Sequence, residues 1–171
     1  MQLKNIPATE YANYFGLYVG KNNPDHTIDE ALVASKDNLV KVYLGLSEEQ
    51  LHNGYAEGKW SLKEVLQHLI DSERVFAYRA MTFSRADETK LPGFEQDDYV
   101  VNSQSNERSL DDLLTEYQAV RMTTRLLFKS LNDEALARSG TASTNTLSVR
   151  AIAFVIAGHD QHHLEIIRDR Y

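Results

Sequence analysis

Apolar residues recur every three to four positions in four long stretches of the chain, which is the spacing of one face of an α-helix. These stretches predict helices at about Ile28–Leu44, Lys63–Arg85, Leu110–Leu131 and from Val149 to the C-terminus. A short helical turn is predicted within residues 47–54. The alternation typical of strands is nearly absent, so the only extended segment expected is a short one near Thr141–Thr146.

Each predicted long helix is preceded by a serine or threonine that can accept a hydrogen bond from the first turn. These N-cap candidates are Thr27, Ser61, Ser109 and Ser148, and Glu64 three residues after Ser61 completes a capping box. Four long amphipathic helices predict an all-α four-helix bundle with long connections. We expect one domain over residues 1–171, with residues 1–26 as an N-terminal extension. The connections are long enough to cross over the bundle or to cover one end of it, where a site would lie.

The composition narrows the chemistry that this domain can perform. The chain has no cysteine, which excludes disulfides, thiolate metal ligands and a cysteine nucleophile. Its net charge of −7 argues against nucleic acid as a partner, since phosphate backbones need a basic surface. No apolar run approaches the roughly 18 residues of a membrane span. The first residues lack the apolar core of a secretory signal, so we expect no membrane association and a cytoplasmic location.

The last predicted helix places two histidines on its apolar face. On a helical wheel of about 100° per residue, His159 and His163 lie near the middle of that face, one turn apart. His68 lies at the margin of the apolar face of the second helix. Burying imidazoles is unfavourable unless their nitrogens find partners, and a divalent cation provides one. Three imidazole nitrogens leaving a fourth position for water are typical of a catalytic zinc-type site.

Other interpretations of these histidines stay open. A helix histidine is more often packed or solvated than a ligand, and the three could be hydrogen-bonded core histidines that bind no metal. His26 and His52 lie in polar segments and are interpreted as surface residues. The segment HDQHH approximates the metalloprotease pattern HExxH, with Asp160 in place of the glutamate. Asp160 projects about 100° away from the histidines, so we expect it to be exposed or to accept an imidazole N–H, and peptidase activity is a minority interpretation.

Several polar residues near the histidines are candidates for supporting roles. Ser72 and Arg79 lie in line with His68 on the second helix. Arg79 could bind a substrate carboxylate, although such an arginine more often pairs with a surface acid. Asp71 is expected to be solvated or to orient a ligand imidazole, and the nearby Glu73 is expected to be solvated. His162 lies at the border of the apolar face. We expect it to lie at the surface or to contact one of the metal-ligating histidines without binding the metal itself.

Longer segments of the chain resemble a known family. These are GKWSLKEVLQHLIDSERVFAYRAMTFSRAD, LPGFEQDDYV, SLDDLLTEYQAVRMTTRLLFKSL and AGHDQHHLEIIRDRY. Together they resemble the DinB-like superfamily, which includes the YfiT-like metal-dependent hydrolases. The combination of W-S-x-x-E-x-x-x-H-x-x-D with a terminal H-x-x-x-H is more specific than either half. The resemblance covers about residues 28–171.

The resemblance implies a four-helix bundle that holds a divalent metal, commonly zinc or nickel, through three histidines. Matched position by position, these are His68, His159 and His163. It also implies a homodimer, and relatives include bacillithiol- and mycothiol-dependent transferases and isomerases. Relatives often carry glutamate where this chain has Asp160, which leaves the role of that residue open.

Two classes of function follow. The first is a metal-dependent enzyme acting on a small molecule, either a hydrolase or a transferase of a low-molecular-weight thiol. The second is a non-enzymatic metal-binding or stress-related interaction module. A fourth protein ligand on the metal would favour the second class, and an open position at a pocket would favour the first.

Overall fold

The computed structural model describes all residues, 1–171. It contains eight α-helices and one two-stranded antiparallel sheet, with short 3-10 turns at Leu3–Asn5, Ala8–Glu10 and Ser105–Glu107. The elements are α1 (Asn13–Val19), α2 (Ile28–Tyr43), α3 (Glu48–His52), α4 (Leu62–Ser84), α5 (Gln96–Asn102), α6 (Leu110–Lys129), α7 (Asp133–Ala137), β1 (Ser139–Ala142), β2 (Asn145–Ser148) and α8 (Val149–Arg170).

The four long helices begin where their capping residues predict. The side chains of Thr27, Ser61, Ser109 and Ser148 each accept a hydrogen bond from a backbone N–H in the first turn of the following helix. Thr27 and Ser61 form complete capping boxes. Because a cap fixes the residue at which a helix starts, it also fixes which side chains face the core.

Helices α2, α4, α6 and α8 form the predicted four-helix bundle. Helix α8 packs against both α2 and α4, and α6 packs against the same two helices from the other side. The most apolar part of the core surrounds the first half of α8, where Val149 and the run from Ala151 to Ala157 are buried. No helix is both long enough and apolar enough to cross a membrane.

The N-terminal segment packs against the bundle. Helix α1 lies along α8, and Phe15 and Val19 join the core. Its approach to α8 is close at Gly158, where a Cβ atom would collide with the backbone carbonyl of Tyr18. The sequence pattern did not predict α1, because its seven residues NYFGLYV carry no cap and no clear apolar stripe.

The extended segment near Thr141–Thr146 is a β-hairpin. Thr141 pairs with Thr146 across the two strands, and Ser143 and Thr144 make the turn with φ values of 50° and 67°. Positive φ at both turn positions matches the twist of a tight hairpin but is unusual for serine and threonine. Leu91 pairs with Ala142 beside the hairpin, which brings the long connection after α4 to the same end of the bundle.

Candidate metal centre

The three histidines of the sequence motif converge inside the bundle. His68 comes from α4, while His159 and His163 come from successive turns of α8, which packs against α4. The ring centroid of His68 lies 4.9 Å from that of His159 and 5.0 Å from that of His163. The expected proximity of these rings is therefore present in the structure.

The nitrogens of the three rings fit the coordination sphere of a small divalent cation. Nε2 of His159 lies 3.2 Å from Nε2 of His68 and 3.1 Å from Nε2 of His163. Two nitrogens bound tetrahedrally to zinc at 2.0–2.1 Å would lie about 3.3–3.4 Å apart. One ligand atom from each residue lies within 4.8 Å of the others, and no further histidine, aspartate or glutamate joins the group. The residues thus fit a metal with three protein ligands.

Hydrogen bonding among the imidazoles cannot satisfy this arrangement. Nε2 of His159 faces both neighbouring Nε2 atoms at hydrogen-bond distance. A neutral imidazole nitrogen carries either one hydrogen or one lone pair, so it can make only one good bond in the plane of its ring. A cation between the rings would accept all three lone pairs.

Burial keeps the three imidazoles neutral, as ligation requires. Desolvation lowers the pKa of His68 to about 4. Desolvation, and then the nearby His68 and His162, lower the pKa of His163 to about 3. The pKa of His159 is held well below its usual value by burial first and by the neighbouring histidines second. The lone pairs are therefore available near neutral pH.

Ser72 and two aromatic rings surround the histidines. Ser72 Oγ lies 3.4 Å from Nδ1 of His68, and because a hydroxyl can accept as well as donate, this long contact is compatible with a proton on Nδ1 and a free lone pair on Nε2. The indole of Trp60 lies 4.9 Å from the His68 ring. The Tyr18 ring meets His159 edge-on at 5.2 Å and also lies 5.5 Å from the half-buried His162. These contacts hold the imidazoles in place.

Asp71 and Asp160 do not contact the histidines that they were candidates to support. Asp71 accepts a hydrogen bond from Gln67 at 3.0 Å and lies 3.5 Å from Arg74. The expectation that Asp160 is exposed or accepts an imidazole N–H is corrected here, because its side chain is buried and bonded elsewhere. Its carboxylate lies on a different side of α8 from His159 and His163 and bonds to residues of α2 and α6.

A buried ionic cluster occupies that side of α8. Arg121, on α6, donates hydrogen bonds to both carboxylate oxygens of Glu73 and a 2.7 Å bond to Asp160. Ser35 and Tyr117 also donate to Asp160. The expectation that Glu73 is solvated is therefore wrong: its carboxylate is needed inside the bundle to neutralise a fully buried guanidinium.

A cleft of about 330 Å³ leads from the surface to the metal-ligand candidates. His68, His159 and Ser72 lie at one part of it, and Arg79 lines another. Aromatic side chains form much of its wall, from Tyr14, Phe15 and Tyr18 of α1, Phe76 of α4 and Phe94 of the following connection. The volume suits a small molecule and is too small for a folded partner.

Sequence patterns did not predict the aromatic wall from α1 or the role of Arg121. The sequence does contain a signal for Arg121. It shares a helical face with Tyr117, Thr124 and Phe128, and a charged residue on such a face indicates a buried partner of opposite charge. No comparable signal marks Tyr18, whose place at the cleft depends on how α1 packs.

Comparison with known proteins gives three consistent findings. The model of the DinB superfamily matches residues 31–167. A protein of Oceanobacillus iheyensis named "Putative metal-dependent hydrolase OB0413" is 25% identical over 134 residues, which cover 77% of this chain and 76% of that protein. YfiT from Bacillus subtilis, described as a probable metal-dependent hydrolase with an unusual four-helix bundle topology, superposes with a TM-score of 0.70 at 17% identity, covering 96% of this chain and 90% of YfiT. The predicted four-helix-bundle fold is confirmed.

Proposed function

The chain belongs to the DinB superfamily, and from that premise we propose that it is a metal-dependent hydrolase of small molecules. His68, His159 and His163 would hold one divalent ion, zinc or nickel, since imidazole nitrogen suits both. The substrate would enter through the aromatic cleft.

One observation carries this proposal: three imidazole nitrogens converge without a fourth protein ligand, beside a cleft lined by two of the same histidines. A structural metal site is usually closed by four protein ligands. A group of three beside an open cleft leaves room for water or substrate, which is the arrangement that a hydrolase needs.

The side chains around the histidines support distinct parts of this role. When bound, a divalent metal would act as a Lewis acid and lower the pKa of a bound water or thiol. Ser72 orients the His68 ring, and the Tyr18 and Trp60 rings limit the movement of the imidazoles. The aromatic wall of the cleft excludes bulk water, which strengthens electrostatic interactions within it.

Thiol transfer is the second candidate for the same centre. Glu95 is the one carboxylate that lines the cleft, and it is exposed. No acid adjoins the three histidines to serve as a general base for water. A thiol whose pKa is lowered by a metal is already a nucleophile at neutral pH and needs no such base, so the surroundings of the histidines suit this chemistry as well.

Metal content and turnover test the proposal together. Protein purified without a histidine tag should contain close to one zinc or nickel per chain by elemental analysis. His159→Ala should abolish binding and His26→Ala should not, because His26 lies outside the cluster. The loaded wild-type protein should then hydrolyse members of a panel of small esters and amides, with turnover lost on chelation and restored by metal.

Other outcomes separate the alternatives. Turnover only with pairs of thiols and electrophiles would favour thiol transfer. Full metal loading without turnover of any panel member would favour the non-enzymatic module. Equal metal affinity in the two histidine variants would contradict the ligand assignment. Dimerisation and a cytoplasmic location stay predictions from the sequence, and sedimentation analysis would check the first.

A further inference from the structure

Arg79 is a buried cation without an acidic partner. The residue is only 4% exposed, and none of the ion pairs of the protein includes it. Its Nη2 donates to the carbonyl of Pro92 at 3.1 Å and to Ser143 Oγ at 3.4 Å. Both acceptors are neutral, so the positive charge is not balanced.

The fully buried Arg121 shows how this protein accommodates such a charge elsewhere. Arg121 lies between the carboxylates of Glu73 and Asp160. Burying a guanidinium without a counter-ion is energetically unfavourable, which is why buried charges are nearly always paired. Consistent with this, burial alone lowers the pKa of Arg79, with no opposing contribution from a carboxylate.

The unused hydrogen-bond donors of Arg79 open into the cleft. Nε and Nη1 of Arg79 have no acceptor within the protein. The only fully buried side-chain polar atoms without a partner are the hydroxyls of Ser105 and Thr124, so these two nitrogens are not fully buried. These donors therefore keep contact with solvent, and Arg79 lines the cleft that reaches His68 and His159. The guanidinium also lies 5.5 Å from the Phe76 ring, which leaves it in a weakly polar wall.

Arg79 and the metal-ligand candidates lie at two positions along one helix face. His68, Ser72, Phe76 and Arg79 are spaced four, four and three residues apart on α4. A rise of 1.5 Å per residue puts the Cα atoms of His68 and Arg79 about 16 Å apart. Both side chains lean towards the N-terminus, and the arginine is the longer of the two, so the distance between the guanidinium and the imidazole is shorter than this. Because His68, Phe76 and Arg79 line the same cleft, one elongated small molecule can contact both ends, with Phe76 between them.

We propose that Arg79 forms a subsite for the carboxylate of the substrate, while the reacting group lies beside His68 and His159. The position of the reacting group beside the two histidines rests on the proposed function. One unbalanced positive charge matches one carboxylate, whereas a phosphate dianion would leave a charge unmatched in a wall that offers no second cation. Glu95, at the exposed part of the cleft, lies in water that screens its repulsion.

A test on the cobalt-loaded protein uses straight-chain mercapto acids of increasing length and their methyl esters as probes. Binding of the thiol to Co²⁺ changes the visible absorption and gives a dissociation constant for each probe. At the best chain length, the acid should bind about ten- to a hundredfold more tightly than its ester, the range for hydrogen bonds to charged groups. Arg79→Met should bring this ratio close to one and leave the affinity for the ester unchanged.

Two further variants make the comparison specific. Arg74→Met removes an exposed arginine of the same helix, outside the cleft, and should keep the wild-type ratio. Arg79→Lys keeps the charge but loses the planar donors and should give an intermediate ratio, and it replaces Arg79→Met if that variant does not fold by circular dichroism. Equal acid-to-ester ratios in the wild type and the Arg79 variants would overturn the subsite.

A metal-free arm separates failure of the subsite from failure of the proposed function. Protein that binds no cobalt contradicts the metal site, but the subsite is still measured by calorimetry with hexanoate and hexanamide. Binding of hexanoate alone, lost in Arg79→Met, supports the subsite. Equal binding of the two compounds, or tighter binding of hexyl phosphate than of hexanoate, overturns the carboxylate assignment.

Discussion

Replacing Arg121 by methionine should strongly destabilise the protein. The side chain is fully buried, and its six hydrogen bonds reach both Glu73 and Asp160, the Ser35 hydroxyl and the carbonyl of Leu32. Its removal leaves two carboxylates that are only 3% and 2% exposed without their cation. Removing one partner of a buried ion pair costs about 3–5 kcal/mol, and here both acids lose theirs, so we expect the upper part of that range.

Urea unfolding of the chelator-treated protein, followed by circular dichroism, measures this loss without a contribution from metal. Arg125→Met is the matched control on the same helix, because Arg125 pairs with Asp29 at the surface, where such a pair contributes about 0–1 kcal/mol. Adding Glu73→Gln and Asp160→Asn to Arg121→Met removes the unpaired charges and should recover part of the loss. Similar losses for Arg121→Met and Arg125→Met would refute the idea that the cluster is mutually neutralising.

Three further predictions concern the metal and the packing of α1. Chelation should lower the melting temperature of the loaded protein by roughly 5–10 °C, the effect of a ligand at about 100 times its dissociation constant, and an equal drop in His159→Ala would contradict ligation. In the metal-free protein, stability should fall as the pH decreases from about 6.5 towards 4, because the unfolded imidazole takes up its proton first while burial lowers the pKa of folded His68 to about 4. His68→Leu should reduce the dependence of the urea midpoint on pH, with the remainder due to His159 and His163, and parallel curves would show that His68 does not contribute. Gly158→Ala should cost about 1–3 kcal/mol, because the new methyl group collides with the Tyr18 carbonyl, and unchanged stability would mean that α1 can shift freely.

The long helices could be predicted from the sequence because two local signals agree in each of them. An apolar stripe gives the type of element, and a serine or threonine cap gives its start, so the starts of α2, α4, α6 and α8 agree with the predicted ones to within one residue. Short helices such as α1, α5 and α7 lack a stripe of useful length. Their formation depends on packing against the bundle, which a local pattern does not encode.

The candidate centre could be predicted in part for a related reason. His159 and His163 share a helix, so their proximity follows from helical geometry alone. The approach of His68 to this pair depends on how α4 packs against α8, which residue spacing cannot predict. The family resemblance was what placed His68 with the other two histidines. Asp160 was misjudged because one helix faces several neighbours, and a position far from one apolar stripe can still lie inside the bundle, against α2 and α6.

The aromatic side chains that α1 contributes to the cleft, at residues 14, 15 and 18, precede the stretch that matches the superfamily, whereas all three metal-ligand candidates lie within it. Part of the cleft lining and the three metal-ligand candidates are thus encoded by different segments of the chain. Exchanging the first twenty or so residues for those of a relative would change part of the cleft lining and the Tyr18 ring that contacts His159, but none of the three histidines themselves. In a scaffold of this kind, the N-terminal part of the cleft lining can differ between relatives while the three histidines stay the same.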